Sequence, residues 1–199
     1  MKIAMFGGSF NPIHNGHIML ANAFQKELAL DKVLIIPAYI PPHKQRDYSV
    51  SPQQKLEMCR LAVKDMPFAE VSDIEIKRQG ASYTYMTLQE LKTIYPHDEL
   101  YLITGADMFM TIHQWKNPNI IFSLARICGI PRNDDDISHL QKQAEYLHTL
   151  GAKTYILNAN VMTVSSTQIR NNIAQGKSIS GLVPPEIEHY ILQNRLYIV

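Results

Sequence analysis

The chain has little net charge and no long apolar run. Its 199 residues include 19 Lys and Arg against 18 Asp and Glu, which leaves a net charge of +1. Such a molecule has no overall field to attract nucleic acid or a membrane surface, so any anionic ligand must be held by a local cluster of groups. No stretch approaches the roughly 20 apolar residues of a membrane span, and the N-terminus lacks the apolar core of a signal peptide. We therefore expect neither a nucleic-acid partner nor a membrane.

Cysteine is also scarce. Cys59 and Cys128 are the two cysteines, and they lie far apart without CxxC spacing. Their apolar or amphipathic surroundings are typical of buried free thiols in a reducing compartment, which predicts a cytoplasmic protein. A hydrophobic content of 46% with 19% charged residues excludes a disordered chain. The length predicts a single domain over residues 1–199.

Short apolar runs alternate with segments of helical period. This alternation predicts an α/β fold with a doubly wound parallel sheet that is covered on both faces. The expected strands are residues 2–6, 32–36, 99–104 and 124–130, with weaker candidates at 69–76 and 153–157. One helix is expected over 52–66 with Ser51 as its cap, and another over 138–150.

Two further local patterns complete the expected organisation. A helix should begin near Thr84 and turn Leu88, Leu91 and Ile94 inward. Residues 132–137 contain three consecutive aspartates, and a solvated loop is the simpler interpretation than a metal site.

The first chemical motif follows the first strand. Residues 7–17 read GGSFNPIHNGH, and a helical pattern begins directly after them. A junction between a strand and a helix N-terminus offers free backbone N–H groups and the positive end of the helix dipole, and glycines let a phosphate chain approach closely. The spacing fits neither a P-loop nor the G-x-G-x-x-G pattern. The motif thus predicts a phosphate site of another kind.

His14 and His17 are three residues apart and share one face if this turn is helical. Both imidazoles could then donate to one phosphate and stabilise the charge that develops on it during transfer. A metal pair is an alternative, although no third ligand is obvious nearby. A structural cap is the other alternative, and it explains one histidine better than two histidines beside a glycine pair.

Residues 7–17 resemble the glycine-rich and (H/T)-x-G-H signature of the nucleotidyltransferase superfamily, with residues 14–17 as the matching tetrad. The resemblance implies a Rossmann-like nucleotidyltransferase fold and transfer of an adenylyl group from ATP. Asn11 stands where many relatives have aspartate, which makes the charge around the nucleotide less negative.

A second motif, VSSTQIR over residues 164–170, follows a strand candidate and opens a helix, with Ser165 and Gln168 at capping-box spacing. Arg170 in the second turn can lean back toward a phosphate at the helix start. For this motif alone, a structural cap with a surface arginine is the simpler interpretation; together with the histidine pair, a phosphate site is favoured. The string resembles the family's I-S-S-T-x-I-R signature, which implies contacts from Ser166, Thr167 and Arg170 to ATP phosphates.

The acceptor is indicated by features between the two motifs. Two prolines stiffen the loop before Lys44, which could be an ordinary surface lysine but lies in a Pro-Pro-His-Lys string that resembles nicotinate mononucleotide adenylyltransferases. Residues 82–84 precede a helix whose N–H groups could receive a carboxylate. Trp115 is the only tryptophan of the chain. A lone tryptophan is usually a core residue, yet its ring could also stack on a pyridine ring.

The resemblance implies that Ser82, Tyr83 and Thr84 bind the pyridine carboxylate, that Trp115 packs on the ring, and that Asp107 contacts a ribose. The expected catalytic residues are His14, His17, Lys44 and Arg170. The expected ATP-binding residues are Gly7, Gly8, Ser9, Phe10, His14, His17, Gly105, Asp107, Ser165, Ser166, Thr167 and Arg170. The expected acceptor-binding residues are Lys44, Ser82, Tyr83, Thr84, Asp107 and Trp115.

The predicted reaction joins ATP to nicotinate mononucleotide and releases pyrophosphate. Mg²⁺ would accompany ATP and be held mainly by phosphates and water, so no protein metal site is expected. Nicotinamide mononucleotide or phosphopantetheine as the acceptor is the nearest alternative, and a regulatory module that binds ATP without turnover is another. A homo-oligomer is compatible with the sequence, which does not define the oligomeric state.

Overall fold

A computed structural model describes residues 1–42, 50–131, 134–159 and 162–198 of the chain, without the side chains of residues 134 and 135. Its strands are β1 (Lys2–Gly8), β2 (Lys32–Pro37), β3 (Ala69–Val71), β4 (Glu99–Ile103), β5 (Ala125–Gly129) and β6 (Lys153–Ile156). They form one six-stranded sheet in the order β3-β2-β1-β4-β5-β6. Every neighbouring pair is parallel. The predicted doubly wound α/β fold is confirmed.

Helices fill the connections between the strands. They are α1 (Asn15–Leu28), α2 (Pro52–Val63), α3 (Ile74–Arg78), α4 (Thr84–Ile94), α5 (Ala106–Thr111), α6 (Pro118–Leu124), α7 (Asp134–Thr149), α8 (Ser166–Ala174) and α9 (Pro185–Gln193). A 3₁₀ turn, Ile112–Gln114, follows α5. Among the described helices, none combines the length and the apolar character that crossing a bilayer requires.

The strands bury both faces of the sheet, as parallel strands covered by helices must. Alternate residues of β1 point to opposite sides. Ala4 and Phe6 join the core formed with α1, α2, α8 and α9. Ile3 and Met5 join the core formed with α4, α5, α6 and α7. Hydrophobic burial on both faces therefore holds β1 rigidly at the centre of the molecule.

The sheet order places the topological switch point between β1 and β4. The chain winds from β1 outward to β2 and β3, and then returns to build β4, β5 and β6 on the other side. Ligands of open α/β sheets bind in the crevice at the carboxyl ends of the two strands that flank such a point. Here those ends are Gly8 and Ile103.

The structure corrects two expectations about element boundaries. Helix α7 begins at Asp134, so the three aspartates open a helix, and the predicted loop is wrong for residues 134–137. Acidic residues suit this position because the helix dipole is positive at the N-terminus. The strand candidate at 69–76 ends at Val71, and α3 begins at Ile74. The aliphatic residues of α3 carried an ambiguous signal because short apolar runs fit either element.

Local signals were more reliable at helix starts. Ser51 caps α2 and exchanges hydrogen bonds with Gln54, as predicted. Helix α4 begins at Thr84 and buries Leu88 and Leu91, but the prediction for Ile94 is wrong, since its side chain is 59% exposed. Ile94 is the last residue of the helix, and the buried stripe ends one turn earlier. Both cysteines are buried free thiols, as expected.

Candidate active site at the switch point

Two adjoining cavities open at the carboxyl ends of β1 and β4. The larger cavity has a volume of about 770 Å³, and the smaller one about 310 Å³. They share one wall, made of Ser9, His17, Leu20, Pro41, Gly105 and Met108. A ligand in either cavity would therefore contact the same wall as a ligand in the other.

His14 and His17 stack at the start of α1. Their ring centroids are 3.6 Å apart with an angle of 24° between the planes. His14 is the N-cap of the helix, and its backbone N–H donates to Nδ1 of His17 at 3.2 Å. Because Nδ1 of His17 accepts, Nε2 carries the proton of the neutral ring and can donate to a ligand. Both rings line the larger cavity, and His17 also lines the smaller one.

His14 is the more buried of the pair, with only 5% of its surface exposed. Burial lowers the pKa of His14 to about 4, so the ring is neutral near pH 7. Within the described residues, Nδ1 of His14 is buried without a hydrogen-bond partner. A buried nitrogen left in this state costs free energy.

Close packing around the pair requires glycine and phenylalanine. A Cβ on Gly16 would lie 2.9 Å from the carbonyl oxygen of Met162 and 3.2 Å from Nδ1 of His14. The ring of Phe10 meets His17 edge-on at a centroid distance of 5.0 Å. Phe10 is 1% exposed and lines neither cavity, so it packs against His17 from within the protein core.

Helix α8 closes the other side of the larger cavity. Ser165 caps it by accepting from the backbone N–H of Gln168 at 3.1 Å, as its spacing predicts. Ser166 donates to the carbonyl of Pro12 at 2.9 Å. Arg170 donates to the carbonyl of Asn11 at 2.8 Å and to Oγ1 of Thr167 at 3.2 Å. The two motifs, 150 residues apart in sequence, are thus joined directly.

Residues 82–84 and Trp115 face one another across the smaller cavity. Ser82, Tyr83, Thr84 and Trp115 all line it. Tyr83 is the N-cap of α4, and its own N–H donates to the carbonyl of Ala81 at 3.0 Å. The N–H groups of the first turn that follows have no partner within the helix. Trp115 is partly buried against the core on one side of the sheet. An aromatic face and a helix start therefore occur in the same pocket.

The remaining predicted site residues divide between the cavities. Asp107 and the residues 165–167 line only the larger cavity, whereas Gly7 and Gly8 line only the smaller one. Ser9 and Gly105 lie in the shared wall. The prediction for Lys44 lies outside the described residues.

Three charged residues at the cavities escaped the sequence analysis. Lys55 lies in the wall of the larger cavity, is 7% exposed, and donates to the carbonyl of Ala38 at 2.6 Å. Glu75 and Lys116 line the smaller cavity. The ammonium of Lys116 lies 5.2 Å from the ring centroid of Tyr83. For Lys116 the adjacent tryptophan was a usable signal. Lys55 and Glu75 offer none, because lysine and glutamate on helices are usually exposed.

Protein ligands for a metal ion are sparse at this site. Over residues 1–42, 50–131, 134–159 and 162–198, no group of three or more His, Cys, Asp and Glu side chains is placed to hold an ion. The larger cavity presents histidine, hydroxyl and guanidinium groups with Asp107 as a carboxylate among its described walls. This donor set suits an ion whose other ligands are phosphate oxygens and water.

Comparison with known proteins identifies the family. A family model described as cytidylyltransferase-like matches residues 5–172. A protein of Geotalea daltonii named "Probable nicotinate-nucleotide adenylyltransferase" is 38% identical, over 99% of this chain and 98% of its own length. One of Carboxydothermus hydrogenoformans with the same name is 40% identical, over 98% of each chain.

Solved structures agree on the fold. The nicotinic acid mononucleotide adenylyltransferase of Plasmodium falciparum, complexed with NaAD, superimposes with a TM-score of 0.79 at 18% identity, over 98% of this chain and 97% of that one. The resemblance inferred from the sequence motifs is confirmed: the chain belongs to the nicotinate-nucleotide adenylyltransferases, within the cytidylyltransferase-like nucleotidyltransferases.

Proposed function

We propose that the chain transfers the adenylyl group of ATP to nicotinate mononucleotide, giving nicotinate adenine dinucleotide and pyrophosphate for NAD biosynthesis. The relatives from Geotalea daltonii and Carboxydothermus hydrogenoformans are named for the same activity. The observation that supports it best is the position of His17 in the wall shared by the two cavities. A group there can contact both reacting ligands at once and so help to hold them in position for the transfer.

In this proposal the larger cavity holds ATP. The histidine pair lies on one side, and the start of α8 with Arg170 lies on the other. Helix starts and guanidinium groups bind phosphate through oriented N–H groups and charge. Ser9, Gly105, Asp107 and residues 165–167 line this cavity and would complete the nucleotide contacts. Lys44 keeps its predicted role as a cation for the phosphates.

The smaller cavity holds the pyridine end of the acceptor. Its ring would stack on Trp115, and its carboxylate would meet the N–H groups at the start of α4. Lys116 adds a positive charge to the same pocket. The carboxylate of Glu75 in the same wall is bonded to Thr87. The helix start and Lys116 therefore make a negatively charged ring substituent suit this cavity better than a neutral amide does.

The reaction needs no covalent intermediate. A phosphate oxygen of the acceptor attacks the α-phosphorus, a new P–O bond forms, and the bond to the pyrophosphate oxygen breaks with its electron pair leaving on pyrophosphate. Nε2 of His17 would donate to the charge that develops on the transferring group. His14, which is neutral near pH 7, stacks on His17 and orients its ring through the bond from the His14 backbone N–H to Nδ1.

We propose Mg²⁺ as the divalent cation, bound together with ATP. Phosphate oxygens and water would provide most of its ligands, with Asp107 as the carboxylate within reach of the larger cavity. When bound, the ion neutralises phosphate charge. The two buried thiols suit a cytoplasmic location, which we propose for the protein.

The decisive experiment supplies purified protein with Mg-ATP and one acceptor at a time. Nicotinate mononucleotide, nicotinamide mononucleotide and phosphopantetheine are compared, with pyrophosphate release and chromatography of the products as readouts. We expect the dinucleotide from the acid acceptor and much less product from the other two. Absence of pyrophosphate release with every acceptor would leave a module that binds ATP without turnover. Preference for the amide would retain the chemistry and refute the carboxylate recognition.

A further inference from the structure

A buried glutamate forms part of the smaller cavity, and the reaction outlined above gives it no task. Glu75 in α3 is 3% exposed and lines the cavity with residues 82–84. Burial raises the pKa of Glu75, while hydrogen bonds from Thr87 and Ser82 and the charge of Arg78 act in the opposite direction. A carboxylate this deep persists only where its partners are well placed, because its desolvation is costly.

The partners of Glu75 flank one short segment of backbone. The hydroxyl of Thr87, in the first turn of α4, donates to Oε1 of Glu75 at 2.6 Å. The side chain of Ser82, which precedes that helix, lies close enough to the same carboxylate to lower its pKa. One carboxylate thereby bridges both sides of residues 83–86. Those residues include the helix start that faces the smaller cavity.

Other contacts give this bridge a fixed frame. The hydroxyl of Thr87 accepts from Nη2 of Arg78 at 2.9 Å, so its proton is directed at Glu75. The backbone N–H of Tyr39 donates to Oγ of Ser82 at 2.9 Å, which holds the Ser82 side chain in place. Arg78 bonds Glu90 at 2.7 Å and lies 3.9 Å from Glu75. The Thr87 hydroxyl, at 2.6 Å, is therefore a closer partner of the carboxylate than Arg78 is.

We propose that Glu75 is a positioning residue for acceptor recognition. It fixes Ser82 and Thr87, and through them the backbone of Tyr83 and Thr84, which receives the substituent of the pyridine ring. This inference rests on the proposed function. Discrimination between an acid and an amide depends on the direction of N–H groups at the helix start, and errors of about 1 Å in such groups cost roughly 100-fold. Glu75 does not need to touch the acceptor to have this effect.

Glu75→Gln is the direct test, with steady-state kinetics on both acceptors as the readout. Glutamine keeps the size and one oxygen for Thr87, but its amino group faces the Ser82 hydroxyl, which already has to donate. We expect the KM for nicotinate mononucleotide to rise by about tenfold, and the KM for ATP to change by less than about twofold. The ratio of kcat/KM for the acid acceptor over the amide acceptor should fall by at least about fivefold.

Glu70→Gln is the matched control. Glu70 in β3 pairs with Lys32 at 2.7 Å on the exposed edge of the sheet, outside both cavities. The same chemical change there should alter neither the acid-to-amide ratio nor either KM. Equal changes in the two variants would show that loss of any carboxylate is enough, which would overturn the proposal.

Thr87 provides a second test if Glu75→Gln does not fold. Thr87→Val removes the hydroxyl that bonds Glu75, and Thr87→Ser keeps it. The proposal requires a fall in the acid-to-amide ratio for the valine variant and recovery for the serine variant. A wild-type protein without pyrophosphate release would refute the proposed function itself. An active wild type whose folded variants keep the wild-type ratio would overturn only the role of Glu75.

Discussion

The two stacked histidines differ in burial, so their substitutions should have different effects. His17 is partly exposed in the shared wall, and its Nδ1 accepts from the backbone N–H of His14. For His17→Ala we expect kcat to fall by about 100-fold to 1,000-fold, the usual effect of removing one donor to developing charge. The melting temperature should change little, because the core around α1 remains intact.

His148 is a suitable control for this substitution. It lies at the end of α7 and contacts Oγ1 of Thr154 at 2.7 Å, outside both cavities. His148→Ala should leave kcat unchanged. If His17→Ala lost activity only in proportion to its loss of folded protein, measured by circular dichroism, His17 would be a structural cap.

His14 should make stability depend on pH. Its pKa is about 4 in the folded protein because of burial, against 6.5 in the unfolded chain. The unfolded state therefore binds more protons between these values, so the folded state is fully favoured above pH 6.5 and loses stability as pH falls toward 4. When the pH falls from 7 to 5, the unfolding free energy of the wild type should fall by about 2 kcal/mol more than that of His14→Gln. Urea unfolding of both proteins at the two pH values measures this difference; identical losses would mean that His14 is not desolvated.

Sequence patterns identified these side chains well because each acts close to its own backbone. His14, Ser51 and Ser165 lie at helix starts, and the preference of such positions is local. Glu75 and Lys55 are different, since their burial follows from the packing of distant segments. Glutamate and lysine side chains of the same kind also face solvent on neighbouring positions, and no local sequence pattern distinguishes the buried residues from the exposed ones.

At the scale of elements, α8 works as a brace on the loop between β1 and α1. Its Arg170 spans the carbonyl of Asn11 and the hydroxyl of Thr167 with one planar guanidinium. Lysine provides a single centre and cannot keep both bonds. For Arg170→Lys we expect the KM for ATP to rise by about tenfold, which corresponds to about 1.4 kcal/mol, with the acceptor KM within about twofold of wild type.

Steady-state kinetics with one substrate varied at a time would measure both constants. Arg60→Lys, on the exposed part of α2 and outside both cavities, makes the same exchange of guanidinium for ammonium as a control. A rise in both KM values would indicate general disorder of the site and contradict the brace.

Elements with strong periodicity were predictable, and those with mixed signals were not. The strands β1, β2 and β4 are continuous apolar runs because both of their faces are buried. The edge strand β3 pairs over only three residues, and the apolar residues that follow it belong to α3. A run of that length does not distinguish a strand end from a helix start. Only tertiary packing decides between them.

At the scale of the molecule, the C-terminal segment is hydrogen-bonded to the loop between β1 and α1, which contains the first motif. The phenol of Tyr197 donates to Oδ1 of Asn11 at 2.7 Å in a buried site, across 186 positions of sequence. This contact gives a structural place to the residue that differs from the aspartate of many relatives. We expect Tyr197→Phe to lower the unfolding free energy by about 1 kcal/mol or more and to raise the KM for ATP.

Denaturant unfolding and ATP kinetics would test the contribution of the bond between Tyr197 and Asn11. Tyr146→Phe, on the exposed face of α7, removes an equivalent hydroxyl far from this contact. Stability equal to wild type in the Tyr197 variant would show that the bond contributes nothing to holding the loop.

The shared wall of the two cavities also bears on how the product leaves. With the ligands placed as proposed, each could depart alone before transfer; afterwards one covalent molecule would occupy both cavities, and either half would hold the other at high effective concentration. Release then requires both halves to detach together. A non-hydrolysable dinucleotide of matching span should therefore bind far more tightly than either mononucleotide, and the wall formed by Ser9, His17 and Gly105 sets the length that its linker must have.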